Sequence, residues 1–215
     1  MMSPDVVVVD YGVGNLLSVQ RGLEHCGAKV TLTADPEQIL HARRVVLPGV
    51  GAFANAMQAL KQLGLVAVIQ ELASQQTPLL GICLGMQLLL DESEEFGVTA
   101  GLGLIPGRVI PVPSQTQLGE MQKIPHIGWS ALYLSSSTPS WEGSLLQDNL
   151  FGEAAYFVHS FMAVPTDQVH CISECQYGGH SIPAVIRRGS VTGCQFHPEK
   201  SGEVGLKILR RFILQ

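Results

Sequence analysis

Of the five cysteines in this 215-residue chain, Cys83 stands in a setting suited to a nucleophile. In Gly81-Ile82-Cys83-Leu84-Gly85 a thiol has glycine two residues to either side, the pattern of a nucleophile elbow with cysteine in place of serine. The glycines leave room for a sharp strand-to-helix turn. Such a turn lifts the sulfur above the C-terminal edge of a sheet, where the positive end of the following helix favours thiolate over thiol. The blander alternative is a tight packing turn. A second segment, Gln195-Phe196-His197-Pro198-Glu199-Lys200, ends the last expected strand, and His197 and Glu199, two apart, are expected to project to one side. An imidazole there can take a thiol proton and return it to a leaving group, while the carboxylate fixes the ring's orientation. A third segment, Pro48-Gly49-Val50-Gly51, also ends a strand, and its backbone N–H groups could join that of Leu84 around a developing oxyanion. Taken alone it is an ordinary Pro-Gly turn.

The elements that must position these groups alternate in the first half. Val6 to Val9 reads as a strand, Gly12-Val13-Gly14-Asn15 as a turn, and Leu16, Val19, Leu23 and Cys26 as one face of a helix stopped by Gly27. Val30 to Thr33 and Val45 to Leu47 are further strands. A helix with Phe53, Met57, Leu60 and Leu63 at helical spacing follows, then Leu65 to Ala73, a strand from Leu79 to Ile82, and a helical pattern from Leu84 to Leu90. This βαβα order predicts an α/β fold with a mainly parallel central sheet and helices on both faces.

Beyond Gly97 the texture predicts a β-rich C-terminal half, with strands at Val109-Ile110, Ala154 to Val158, Val169 to Cys175, Ala184 to Ile186 and Val191 to Phe196. Serines 135, 136, 137 and 140 with Pro139 mark a loop rather than a linker, because the strands on either side must share a core. The closing helix carries Val204, Ile208, Leu209 and Phe212 inward. A single domain over residues 1–215 is expected at this length.

Apolar residues make up 46% of the chain and charged residues 14%, a balance for a globular core rather than disorder. A net charge of −5 with no basic run excludes a nucleic-acid surface. No apolar run reaches the roughly 18 to 20 residues of a membrane span. The opening Met-Met-Ser-Pro-Asp lacks a basic export region, so a soluble, cytoplasmic protein is expected. Five cysteines without a CxxC pair predict free thiols, no disulfide framework and no metal site. The Gly12-x-Gly14 turn lacks the third glycine of a dinucleotide fingerprint, position 17 being Leu, so no nicotinamide cofactor is expected.

Pro48-Gly49-Val50-Gly51-Ala52-Phe53, Gly81-Ile82-Cys83-Leu84-Gly85-Met86-Gln87 and Gln195-Phe196-His197-Pro198-Glu199-Lys200-Ser201 together resemble the three signatures of class I glutamine amidotransferases. Within that class the chain resembles, over nearly its whole length, the glutaminases of imidazole glycerol phosphate synthases. Asp10-Tyr11-Gly12, Gly101-Leu102-Gly103-Leu104-Ile105-Pro106-Gly107, Pro125-His126-Ile127-Gly128-Trp129 and Tyr156-Phe157-Val158-His159-Ser160 carry that resemblance.

The resemblance implies a Cys83–His197–Glu199 triad and oxyanion N–H groups from Val50, Gly51 and Leu84. It implies glutamine held by Gln87 and the backbone around His159, Ser160 and Phe161, and a cyclase partner in a heterodimer facing Asn15 and Trp129. In that family, ammonia passes to a TIM-barrel cyclase that converts a phosphoribulosyl formimino intermediate into imidazole glycerol phosphate and an aminoimidazole carboxamide ribotide. The cyclase, on this reading, is a separate polypeptide or lies beyond this sequence. No cofactor is implied. Two departures stand out: Ser130 where the family usually has Asn, and a long stretch from Ser135 to Asn149. The glycines flanking Val50 lower the cost of a peptide flip, so an oxyanion strand that stays incomplete until the partner's site fills is expected. The rivals are a paralogue serving another acceptor such as a surface sugar, a free-standing cysteine hydrolase, and a non-catalytic module. Intact Cys83, His197 and Glu199 speak against the last.

Overall fold

The chain begins by alternating strand and helix: β1 (Val6–Val9), α1 (Leu16–His25), β2 (Val30–Thr33), α2 (Pro36–Leu40), β3 (Val45–Gly49), α3 (Phe53–Gln62), α4 (Leu65–Ser74), β4 (Leu79–Cys83) and α5 (Leu84–Leu88). Then come β5 (Glu92–Ser93), β6 (Thr99–Ala100), β7 (Gly107–Pro111), β8 (His126–Ala131), β9 (Tyr133–Leu134), β10 (Ala154–His159) and β11 (Phe161–Pro165). β12 (Cys171–Tyr177), β13 (His180–Arg188), β14 (Val191–Cys194) and α6 (Gly202–Ile213) complete it. This computed structural model describes residues 5–215; Met1 to Pro4, part of the segment read above for an export signal, lie outside the described residues.

The central sheet has the order β2-β1-β3-β4-β14-β13-β12-β9. From β2 to β14 neighbouring strands run parallel, and β13, β12 and β9 extend the sheet antiparallel. Strand alternation sends Val7 and Val9 into one apolar cluster with Phe53, Leu60 and Ile69, and Val6 and Val8 into another with Leu23, Phe196 and Phe212. Burial on both faces explains why the parallel strands read as unbroken apolar runs. Two smaller sheets lie apart: the antiparallel β8/β10 ribbon, and β11-β7-β5-β6.

Several expectations need correction. The pattern Leu84 to Leu90 is helical only to Leu88, because the Leu88, Leu89 and Leu90 carbonyls accept N–H groups from Leu102, Leu104 and Gly103, which return along that end. Leu63 is the C-cap of α3 rather than part of the helix, and is 43% exposed. Val204 is half-buried, and Gly205 takes the inward position, where a Cβ would lie 1.8 Å from the Pro198 carbonyl oxygen. Val169 belongs to a 3-10 turn (Gln168–His170), with strand starting at Cys171, and the last strand stops at Cys194 rather than Phe196. His126–Ala131 and Phe161–Pro165 are strands that the apolar pattern did not mark.

The stretch from Ser135 to Asn149 is a loop laid over the sheet. Trp141, Leu145 and Leu146 are buried in one cluster with Leu132, which precedes the loop, and with Ala155 and Phe157, which follow it. The Trp141 indole N–H donates to the Ile172 carbonyl at 3.3 Å. Among the described residues no helix is long and apolar enough to cross a membrane.

Candidate active site

Cys83 sits where β4 turns into α5, at φ 54° and ψ −109°. A non-glycine residue in that region carries strain of order 1–3 kcal/mol and persists only when its surroundings impose it. Here they do. A Cβ on Gly81 would lie 2.6 Å from the Gly85 carbonyl oxygen, and one on Gly85 would lie 1.8 Å from the Leu47 carbonyl oxygen of β3. The flanking glycines are thus demanded by backbone contact across the turn and across the sheet. With α5 only five residues long, the electropositive influence on the thiol is confined to the N–H groups of its first turn. The sulfur is directed at the Val158 carbonyl of β10, 3.8 Å away, and receives the Gln195 amide N–H at 3.8 Å.

His197 is extended and is followed by a 3-10 turn at Pro198–Lys200. That turn, not strand alternation, brings the Glu199 carboxylate to the ring: Oε1 lies 2.8 Å from Nδ1, with the two side chains 1% and 3% exposed. The Ser201 hydroxyl donates to the His197 carbonyl at 2.7 Å and accepts the Tyr156 N–H at 2.9 Å, which clips this turn to β10. Nδ1–H therefore points at Glu199 and leaves Nε2 for exchange with a reacting group. Nε2 is buried and, among the described residues, has no hydrogen-bond partner. Burial lowers the His197 pKa, but the neighbouring Cys83 sulfur and the Glu199 carboxylate outweigh it and raise the value to about 9. Because no bond of ordinary geometry joins Nε2 to the sulfur, the Cys83 influence is best understood as charge proximity. At neutral pH the imidazolium form of His197 is favoured. Burial pushes the Cys171 and Cys175 thiols up to about 12 and raises Cys194, so these three behave as small apolar groups.

Cys83 and His197 open onto a cavity of about 290 Å³ that Val50, Gly51 and Leu84 also line. Among the described residues the Val50 and Gly51 N–H groups, just past the end of β3, make no backbone hydrogen bond, and Leu84 N–H opens the first turn of α5. Val50 is 43% exposed and Gly51 has φ +93°. Within the stretch from Pro48 to Gly51, expected to move, the first two residues are tied down. The Tyr11 hydroxyl donates to the Pro48 carbonyl at 2.6 Å, and Gly49 pairs with Cys83 in the sheet.

The far wall carries the expected Gln87, His159, Ser160 and Phe161. The Gln87 amide donates to the Phe161 carbonyl at 2.9 Å and to Gln195 Oε1 at 3.1 Å. Glu95, not singled out by the sequence, also lines the cavity, and its Oε2 accepts the Phe53 N–H at 2.6 Å at the start of α3. Its signal was hidden in the acidic run from Asp91 to Glu95. Gln195 and His126 stand inside the sequence signatures but were given no role, because the partners they meet, Gln87 and His159, are distant in sequence. Asn15 and Trp129 are not at the cavity. Asn15 is exposed at the start of α1, and Trp129 is 59% exposed, edge-on to Tyr156 at 5.9 Å. Among the described residues no cluster of three or more His, Cys, Asp or Glu side chains could hold a metal ion.

A strained thiol, a carboxylate-held imidazole and free backbone donors in one cavity suit acyl transfer through a thioester. Residues 7–215 match the family described as Glutamine amidotransferase class-I, and the chain belongs to that family. Solved relatives share the fold: a glutamine amidotransferase crystal structure at TM-score 0.70 and 16% identity covers 97% of this chain and 96% of its own. A chain of PurLQS from Thermotoga maritima aligns at TM-score 0.70 and 20% identity over 99% of this chain and 98% of its own. The chain is 48% identical over 208 residues to the imidazole glycerol phosphate synthase subunit HisH 1 of Legionella pneumophila strain Lens, covering 97% of this chain and 98% of that protein. It is 47% identical to the HisH subunit of Geobacillus kaustophilus strain HTA426, over 96% and 94% of the two chains. Within the class it falls among these HisH subunits.

Proposed function

We propose that the chain is the glutaminase subunit of an imidazole glycerol phosphate synthase, hydrolysing glutamine and delivering ammonia to a cyclase in histidine biosynthesis. The Cys83 thiolate attacks the side-chain amide carbon of glutamine, and the carbonyl electron pair moves to oxygen, where the Val50, Gly51 and Leu84 N–H groups receive it. His197, protonated on Nε2, gives that proton to the departing nitrogen as the C–N bond breaks, leaving ammonia and a γ-glutamyl thioester. Water then attacks the thioester as neutral His197 takes its proton, and glutamate leaves with the thiolate restored. Glu199 holds the ring and stabilises its charged form.

Gln87 and the His159–Phe161 backbone hold the substrate, and the Glu95 carboxylate is placed to receive its ammonium group. Asn15 and Trp129, both exposed and off the cavity, face the cyclase in a heterodimer. One amidotransferase domain spans residues 1–215, and the cytoplasm is its place of work. The observation that carries this reading is the convergence on one cavity of Cys83 at positive φ and a buried His197–Glu199 pair at 2.8 Å.

Glutamate release by the chain alone, with cyclase, and with cyclase plus its ligand tests the reading. The rate is expected to rise on the order of 10²-fold across the series, as completion of an oxyanion donor would give. Equal rates in all three refute partner-dependent activation. Cys83→Ala is expected to abolish glutamine-driven synthesis while the cyclase still uses added ammonium salts; retained glutamine-driven product overturns the site assignment.

A further inference from the structure

The inner face of the β8/β10 ribbon holds a hydrogen-bond chain to which the mechanism gives no task. Ser130 Oγ lies 2.8 Å from His126 Nε2, His126 Nδ1 lies 2.9 Å from His159 Nε2, and His159 Nδ1 lies 2.8 Å from the Phe161 carbonyl oxygen. That carbonyl also accepts the Gln87 amide. A carbonyl can only accept, so His159 bears its proton on Nδ1. Its Nε2, in a neutral ring, is then an acceptor, and His126 must donate to it from Nδ1. His126 Nε2 is left as an acceptor, so the Ser130 hydroxyl must donate. Burial keeps both rings neutral, with each pKa pushed down to about 4. The His126 ring is further held in plane by stacking on Phe157 at 5.1 Å and Tyr177 at 4.1 Å.

We propose that Ser130 is a positioning residue for glutamine: its hydroxyl satisfies His126 Nε2 and, through His126 and His159, holds the Phe161 carbonyl and the backbone beside it at the cavity wall. This rests on reading that cavity as the glutamine site. With no donor at position 130, His126 Nε2 is buried without a partner. Moving the ring proton to Nε2 gains no partner there and sets two lone pairs, His126 Nδ1 and His159 Nε2, against each other, so the deficit is relieved only by displacing the ring and the chain behind it. The same strand presents Trp129, the neighbour of Ser130, on its exposed face. The hydrogen-bond chain therefore runs from the strand proposed to meet the partner to the substrate wall.

Nitrogen-resolved NMR of the histidine rings in the full chain tests the tautomers, with glutamine titrated into Cys83→Ala as the binding readout and KM and kcat measured with Cys83 intact. The wild-type chain is expected to show both His126 and His159 protonated at Nδ1 and unprotonated at Nε2. Ser130→Ala is expected to shift the His126 Nε2 resonance toward that of an unbonded nitrogen, weaken glutamine binding roughly 3- to 10-fold, the worth of one buried hydrogen bond, and raise KM with kcat within about twofold. Ser130→Thr and Ser130→Asn, which keep a donor, are expected to restore both readouts. His126 protonated at Nε2 in the wild type overturns the proposal, as does unchanged glutamine affinity in Ser130→Ala. If Ser130→Ala is poorly folded, failure of folded Ser130→Thr to keep the wild-type His126 Nε2 resonance overturns it equally. Expected tautomers with no glutamine binding by any variant sink the assignment of the cavity, and the proposal's substrate role with it.

Discussion

Replacing Glu199 by Gln isolates the carboxylate's charge, because the amide has nearly the same shape and the 2.8 Å contact to His197 Nδ1 can survive. Three effects follow. The charge-assisted bond becomes a neutral one, a loss of about 1.5 kcal/mol or somewhat more in a pair whose side chains are 3% and 1% exposed. If that stabilisation is felt when the imidazolium forms, the rate falls about 10- to 100-fold. Second, the His197 pKa, held at about 9 against burial by Cys83 and Glu199, drops when the Glu199 contribution is removed. Third, an amide that turns its nitrogen toward Nδ1 forces the ring proton onto Nε2, the wrong tautomer for a base. In the wild type the imidazolium that donates to ammonia is present below its pKa and lost as pH rises through about 9. The alkaline limb of glutaminase activity is therefore expected near that value, and lower in Glu199→Gln. The assay is glutamate release from pH 6 to 10 with cyclase and ligand present. His197→Ala serves as the reference, expected to lose the roughly 10²- to 10⁴-fold of a general acid–base. A Glu199→Gln enzyme with wild-type kcat and an unmoved alkaline limb would refute the role given to the carboxylate.

His126 and His159 predict weakening in acid: their pKa values are about 4 in the fold against 6.5 unfolded, so below 6.5 the unfolded chain binds protons that the native one does not. Stability is expected to fall as pH drops from 6.5 toward 4, by up to about 3 kcal/mol per ring, and a flat series of urea midpoints over that window would count against neutral buried rings. Gly85→Ala, which sets a Cβ 1.8 Å from the Leu47 carbonyl oxygen, is expected to cost at least about 3 kcal/mol and to displace the elbow; a wild-type Tm with full activity would show that the turn is not so constrained. Tyr11→Phe strips the Pro48 carbonyl of its 2.6 Å donor and is expected to lower stability by about 1–3 kcal/mol. An unchanged denaturation midpoint would mean that the clamp on this strand end lies elsewhere.

The grouping of Cys83, His197 and Glu199 was legible in the chain because its demands are local. A cysteine at φ 54° needs a neighbourhood that only Gly81 and Gly85 permit, and residues 197 to 199 are too close in sequence to be far apart in space. The parallel half was legible for a related reason, since strands such as Val6–Val9, covered on both faces, must be apolar at every position. The structural reason was not always the expected one: a 3-10 turn, not a strand, joins His197 to Glu199. The cavity's far wall was decided by tertiary structure. Gln87 meets Gln195 across 108 residues, Glu95 meets Phe53 across 42, and His126 meets His159 across 33. Nothing in the neighbourhood of these residues announces the contact. The early end of α5 has the same origin, because carbonyls that would have continued the helix are taken by N–H groups from Leu102 to Ile105. Spacing and residue type record what a segment demands of its own backbone. Which distant segment supplies a partner depends on how sheets and helices pack, and that is settled only when the whole chain has folded.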